Sequence, residues 1–149
     1  MRAIYYFVAE HNIKGAKNEI KKCKHMSKDP AWKFSYAFLF AYEGDLDKAI
    51  LWYDKAFKDT KYKEVMEEVV SFIQWNLDDE PDKIQLLFCM GYLSYKGLFD
   101  KSRAIEYFSK FCNHVKSNAF PEYQNKANEF VEQITSKNGL SESPVRPLK

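Results

Sequence analysis

Glycine and proline are scarce, with 5 of each in 149 residues. All-β folds use both at their many turns, so this scarcity argues against a sheet of short strands and favours long helices. Cysteine is scarce as well. Cys23, Cys89 and Cys112 are odd in number, widely spaced and without a C-x-x-C pair, so they give no disulfide framework. No apolar run approaches the roughly 20 residues that span a bilayer. The apolar stretch at residues 1–8 is too short for the core of a secretory signal. Also missing are G-x-S-x-G, the P-loop, G-x-G-x-x-G and H-E-x-x-H, the motifs that seat a nucleophile, a nucleotide or a catalytic zinc. The expectation is a cytoplasmic chain, neither an enzyme nor a cofactor carrier, without a membrane span.

What the sequence has in quantity is aromatic side chains: Tyr 10, Phe 12 and Trp 3, 17% of the chain. Net charge is only +2, but it is unevenly spread. Residues 1–33 carry 8 basic and 3 acidic side chains, residues 34–82 carry 5 and 12, and residues 83–149 carry 10 and 6. An acidic middle lies between two basic flanks.

Apolar residues recur at helical spacing almost throughout, and no segment alternates apolar and polar as a half-buried strand does. The pattern predicts helices over about 2–10, 14–27, 30–42, 46–58, 62–77, 81–96, 100–115 and 119–135. The class is therefore all-α with about eight helices. Pro30 and Pro81 are expected at first helical positions, each behind an acidic residue. Gly44 is expected to end its helix in the left-handed conformation. Residues 137–149 are rich in Ser, Asn, Gly and Pro and read as a disordered tail, leaving one domain over 1–136.

Two stretches are alike. Glu43-Gly44-Asp45-Leu46-Asp47-Lys48-Ala49-Ile50-Leu51-Trp52-Tyr53 compares with Lys96-Gly97-Leu98-Phe99-Asp100-Lys101-Ser102-Arg103-Ala104-Ile105-Glu106-Tyr107-Phe108. Each has Gly, a short acidic turn, Ala-Ile and aromatics. The second turn is two residues longer. The pattern resembles the tetratricopeptide repeat family, best over 30–58 and 83–111. Ala37, Gly44, Ala49, Tyr53 and Ala56 match its small, turn and aromatic positions. Gly91 or Met90, then Gly97, Ala104 and Phe108, match the later unit, where Phe111 replaces the last small residue. Lys33 stands at the family's usual Trp position, beside Trp32. Ala16 to Ala49 spans 33 residues, near the family period of about 34. Ala49 to Ala104 spans 55, which leaves room for an extra helix over about 62–77. The resemblance implies antiparallel helix pairs stacked as a short α-solenoid, closed by a capping helix over about 119–135.

The resemblance also implies a concave groove lined by first-helix residues. These are Ala31, Phe34, Phe38, Ala41 and Tyr42 in one unit, and Ile84, Leu87, Gly91, Ser94 and Tyr95 in the other. Such a groove is apolar and aromatic. It lacks the Lys, Arg and Asn that pair with acidic peptides. It suits an apolar peptide or amphipathic helix of another protein, with Phe34, Phe38, Tyr42, Leu87 and Tyr95 as the peptide-binding residues. The competing reading is that the 62–77 or 119–135 helix already fills it.

Lys14, Lys17, Lys21, Lys24 and Lys28 fall at i, i+3, i+7, i+10 and i+14, one basic stripe. It has no Arg and no interleaved aromatics, which makes nucleic acid or an anionic surface the weaker reading. An acidic protein face suits it better, including the acidic middle of another copy. A self-associating or accessory repeat fragment is thus an alternative to the peptide-binding scaffold. Cys23-Lys24-His25 and Cys112-Asn113-His114 are no metal sites if helical, since residues i and i+2 point about 200° apart. Glu64, Glu67 and Glu68 read as a solvated helix face rather than a catalytic dyad.

Overall fold

The computed structural model describes residues 12–26, 32–60, 62–114 and 119–141, with the backbone alone at 23–26 and 137–141. Seven α-helices follow one another among the described residues: α1 (Ile13–Met26), α2 (Trp32–Glu43), α3 (Leu46–Asp59), α4 (Lys63–Asp79), α5 (Gln85–Tyr92), α6 (Lys101–His114) and α7 (Pro121–Ser141). A five-residue π-helical segment, Leu93–Gly97, extends α5. No strand occurs among the described residues. The all-α class stands. The expected helix over 2–10 and the expected start at Pro30 lie outside the described residues.

Local chemistry explains the boundaries. Gly44 has φ +91°, as a left-handed cap requires, and its neighbour Asp45 accepts a hydrogen bond from the Lys48 backbone N–H at 3.2 Å. Asp100 does the same for Arg103 at 3.2 Å. The Ala49 and Ala104 backbone N–H groups donate to the Asp45 and Asp100 carbonyls. The two sequence units thus begin their second helices with the same cap. Pro81 departs from expectation. The Lys83 N–H donates to the Glu80 carbonyl at 3.0 Å, so Pro81 is the second residue of a turn, a position its fixed φ suits. The α-helix starts only at Gln85. At the other end of the chain α7 continues to Ser141, so residues 137–141, expected at the start of a disordered tail, are helical, and 142–149 lie outside the described residues.

The helices pack mainly as neighbours in sequence: α1 on α2, α2 on α3, α5 on α6 and α6 on α7, with α4 laid on α5. The short turn between α2 and α3 makes them antiparallel. Small residues allow the close approach. Ala37, Ala49, Ala56 and Ala104 are fully buried. A Cβ added at Gly91 would meet the Phe108 ring at 2.7 Å, which identifies Gly91, not Met90, as the close-contact residue of the later unit. Every residue of α5 is buried. Its Phe88 is the hub of the aromatic core, packed on Tyr92, Phe108, Phe111, Tyr123 and Phe130.

The uneven charge finds its use here. Acidic residues of the middle accept from both flanks and from core tyrosines. Lys17 pairs with Glu43, Lys33 with Asp59, and Arg103 with Glu67, its Nη1 lying 2.9 Å from both carboxylate oxygens. The Tyr42 hydroxyl donates to Glu80 and the Tyr92 hydroxyl to Asp54, each at 2.6 Å, and the Tyr123 hydroxyl donates to Asp47. These bonds tie α2 to the end of α4, and α3 to both α5 and α7.

Candidate functional site

The side chains expected to line an aromatic groove pack against the chain's own helices. Phe34 and Phe38 are each only 1% exposed. The Phe34 ring lies against Phe57 of α3, and Phe38 meets Phe72 of α4 edge-on at 5.0 Å. Tyr42 is half-buried under the Lys83 ammonium and bonded to Glu80. Leu87 is buried in the core, as are Ala41, Gly91 and Ser94. Tyr95 packs edge-on against Phe130 of α7, and its hydroxyl lies 3.3 Å from the Gln133 side chain. Phe34, Phe38 and Leu87, expected as peptide anchors, are thus core residues, while Tyr42 and Tyr95 are half-buried against that core. From the helix over 62–77 Phe72 covers Phe38, while that helix packs mainly on α5, and from α7 Phe130 covers Tyr95. Ala31 lies outside the described residues.

The basic stripe is corrected in part. Lys14 and Lys21 are exposed. Lys17 is turned inward, its ammonium 4.3 Å above the Phe40 ring and paired with Glu43, because burial of its stem on α2 places the head beside that carboxylate. With Ile13, Asn18 and Glu43, these three lysines line a surface depression of about 310 Å³. Lys28 and the Lys24 side chain lie outside the described residues. Cys89 is buried and Cys112 half-buried, both as free thiols. Burial pushes the Cys89 thiol up to about 12 and raises that of Cys112, so neither is a ready thiolate. The His114 Nδ1 lies 2.8 Å from the Lys110 carbonyl on its own helix. Of the three glutamates, Glu67 is held by Arg103 while Glu64 and Glu68 face outward.

The surface draws attention to residues that the repeat pattern does not single out. Among the described residues four large apolar side chains are exposed: Leu51, Tyr62, Trp75 and Phe99. Phe99 stands furthest out at 80% exposure, in the longer turn between the π-helical segment and α6. Its φ is +54°, a left-handed conformation that costs an L-residue roughly 1–2 kcal/mol. The turn is fixed on both sides. The Leu98 N–H donates to the Leu93 carbonyl at 2.9 Å and the Asp100 N–H to the Ser94 carbonyl at 2.8 Å. Gly97 allows the tight fit, since a Cβ there would lie 2.8 Å from both the Met66 sulfur and the Phe57 ring.

Phe99 stands at the mouth of a cavity of about 120 Å³, shared with Phe57, Thr60, Met66, Lys96 and Gly97. Thr60 is 4% exposed, and its hydroxyl has no hydrogen-bond partner among the described residues. Tyr62, 71% exposed, precedes α4 one turn before Met66. The arrangement is a notch of apolar side chains joined by the buried Thr60 hydroxyl and by Lys96, with the exposed ring of Phe99 beside it. Phe120 offers a contrast. It too has positive φ, at 50°, but it is half-buried, packs on Phe111 and lies over Gly44, so folded contacts offset its strain. The Phe99 ring makes no aromatic contact among the described residues.

A single signal in the sequence could have found Phe99: an aromatic in a turn two residues longer than its counterpart. Among the described residues no helix is long and apolar enough to cross a membrane, and no three His, Cys, Asp or Glu side chains gather as a metal would need. Comparison with protein-family models, curated proteins and solved structures finds no match.

Proposed function

We propose that the chain is a non-catalytic interaction scaffold, a short array of tetratricopeptide-like helix pairs that holds an apolar segment of another protein at the Phe99 end. The observation that carries this reading is Phe99 itself. A bulky residue in a strained backbone conformation is kept where surrounding contacts favour it, or where a function requires it. The Phe120 ring has such contacts. The Phe99 ring, 80% exposed, has no aromatic contact among the described residues to offset its strain. A partner that covers the ring would supply them, and the neighbouring cavity would take one apolar side chain of that partner. The Thr60 hydroxyl would then bond to a polar group carried in with it. The shared cap at Asp45 and Asp100, with Ala49 and Ala104 behind it, supports the paired-helix repeat.

The test compares wild type with Phe99→Asn as bait in native lysate. Asn tolerates the left-handed region, so the fold is kept and only the ring is lost. A protein retained by wild type and lost by the folded variant supports the reading. Identical retention by both contradicts it.

A further inference from the structure

The intramolecular ion pairs leave a remainder on each side of the charge pattern. Lys17, Lys33, Glu43, Asp59, Glu67 and Arg103 are spent within the fold. Lys14 and Lys21 on α1, and Glu64, Glu68 and Asp79 on α4, are exposed and have no ion pair among the described residues. We propose that the outward face of α4 docks on the outward face of α1 in a second copy of this chain, a head-to-tail contact seated on Trp75.

On α4, Glu64, Glu68, Ser71, Trp75, Asp78 and Asp79 are all exposed. At about 100° per residue they fall within a stripe roughly 100° wide. Trp75 sits in the middle, 56% exposed, between carboxylates. An indole is the best aromatic partner for an ammonium, and the carboxylates around it add charge attraction. On α1, Lys14, Asn18 and Lys21 form a narrower stripe beside the depression of about 310 Å³, which has room for an indole ring. At about 1.5 Å rise per residue, Lys14 and Lys21 stand about 10 Å apart, and Glu68 and Asp78 about 15 Å apart with Trp75 between them. Lysine stems are flexible enough to cover the difference. Both faces are exposed in one molecule, so they do not meet within it. Only a second copy can bring them together.

Two different patches in contact make a heterologous interface, which closes into a ring or continues as an open chain. The test uses two variants, each disabled on one face only. Lys14→Glu with Lys21→Glu removes the basic face. Trp75→Ala with Glu68→Lys removes the acidic one. All four positions are exposed, and circular dichroism verifies the helices. Sedimentation velocity should show concentration-dependent association of wild type at about 0.01 M salt, where the Debye length is about 30 Å. It should show monomers at about 1 M, where that length is about 3 Å. Each variant alone should associate at least about tenfold more weakly than wild type. Mixed, the two should form a one-to-one dimer, because each retains the face the other lost. Wild type that stays monomeric at low salt overturns the proposal. So do variants that associate as wild type does, or a mixture that forms no dimer.

Discussion

Phe38 shows how a residue's role changes once its neighbours are known. Its ring is 1% exposed and wedged between Tyr42 and Phe72. Phe38→Ala should therefore cost about 3–5 kcal/mol of stability, the range for truncating a buried Phe. Phe38→Glu should unfold the chain, since it places a carboxylate at a position only 1% exposed among aromatic rings. Urea denaturation followed by circular dichroism measures both. A folded Phe38→Glu with near wild-type stability would mean that α4 does not cover this ring. Glycines give a second comparison. Gly91→Ala forces a methyl against Phe108, and overpacking of this kind costs about 1–3 kcal/mol, more than the roughly 1 kcal/mol gained in helix propensity. Gly15→Ala meets only the Asn12 side chain, which caps this helix by accepting from the Gly15 N–H at 2.8 Å. The roughly 1 kcal/mol gained in helix propensity is offset by about as much if the cap moves, so the net effect should be near zero. Equal effects at the two positions would contradict the packing described for α5 and α6.

At the scale of elements, the paired caps give the most direct check on the repeat. Asp45→Ala and Asp100→Ala should each lose about 1 kcal/mol, the usual loss when a capping side chain is removed. Thermal unfolding of each variant reads this, and a marked difference between them would mean that the two units are not built alike. Helix positions were legible because periodicity, caps and Gly44 are short-range signals. The helix expected over 46–58 is Leu46–Asp59, and that expected over 62–77 is Lys63–Asp79. The groove was not legible. Its positions were apolar whether a partner or the chain's own α4 covers them, and that choice depends on long-range packing. Pro81 misled for a local reason, because its fixed φ serves a turn as well as a first helical turn. Trp75 was hidden in the same way, since it lies on the polar face of a helix whose apolar face was the signal sought.

The whole molecule is held partly by phenols and a thiol that must stay protonated. Burial first, then the bond to Glu80, pushes Tyr42 up to about 12, and burial does the same for Cys89. Burial first, then Asp54 and Asp47, raises Tyr92 and Tyr123 above the ordinary range. A group whose pKa is raised by folding contributes stability that is complete below its unfolded pKa and disappears as pH climbs through the folded value. The urea midpoint should therefore hold steady through neutral pH, begin to fall at about pH 9–10 as the unfolded thiol and phenols ionise, and fall most steeply between there and about 12. Phenolate absorbance should rise in step with the loss of helix. Full ionisation of the tyrosines near their ordinary value of about 10, with the helices intact, would contradict these buried bonds.

The proposed function puts the docking site for a partner at Phe99 and not at the buried Phe38. Photo-crosslinking in cells tests it most directly, with p-benzoylphenylalanine placed at position 99, at position 38 and at the exposed control Leu51. The expected result is a discrete crosslink to another protein from position 99 alone, with position 38 joining only to its own chain. A crosslink to another protein from position 38, or from position 51 as readily as from 99, would contradict it.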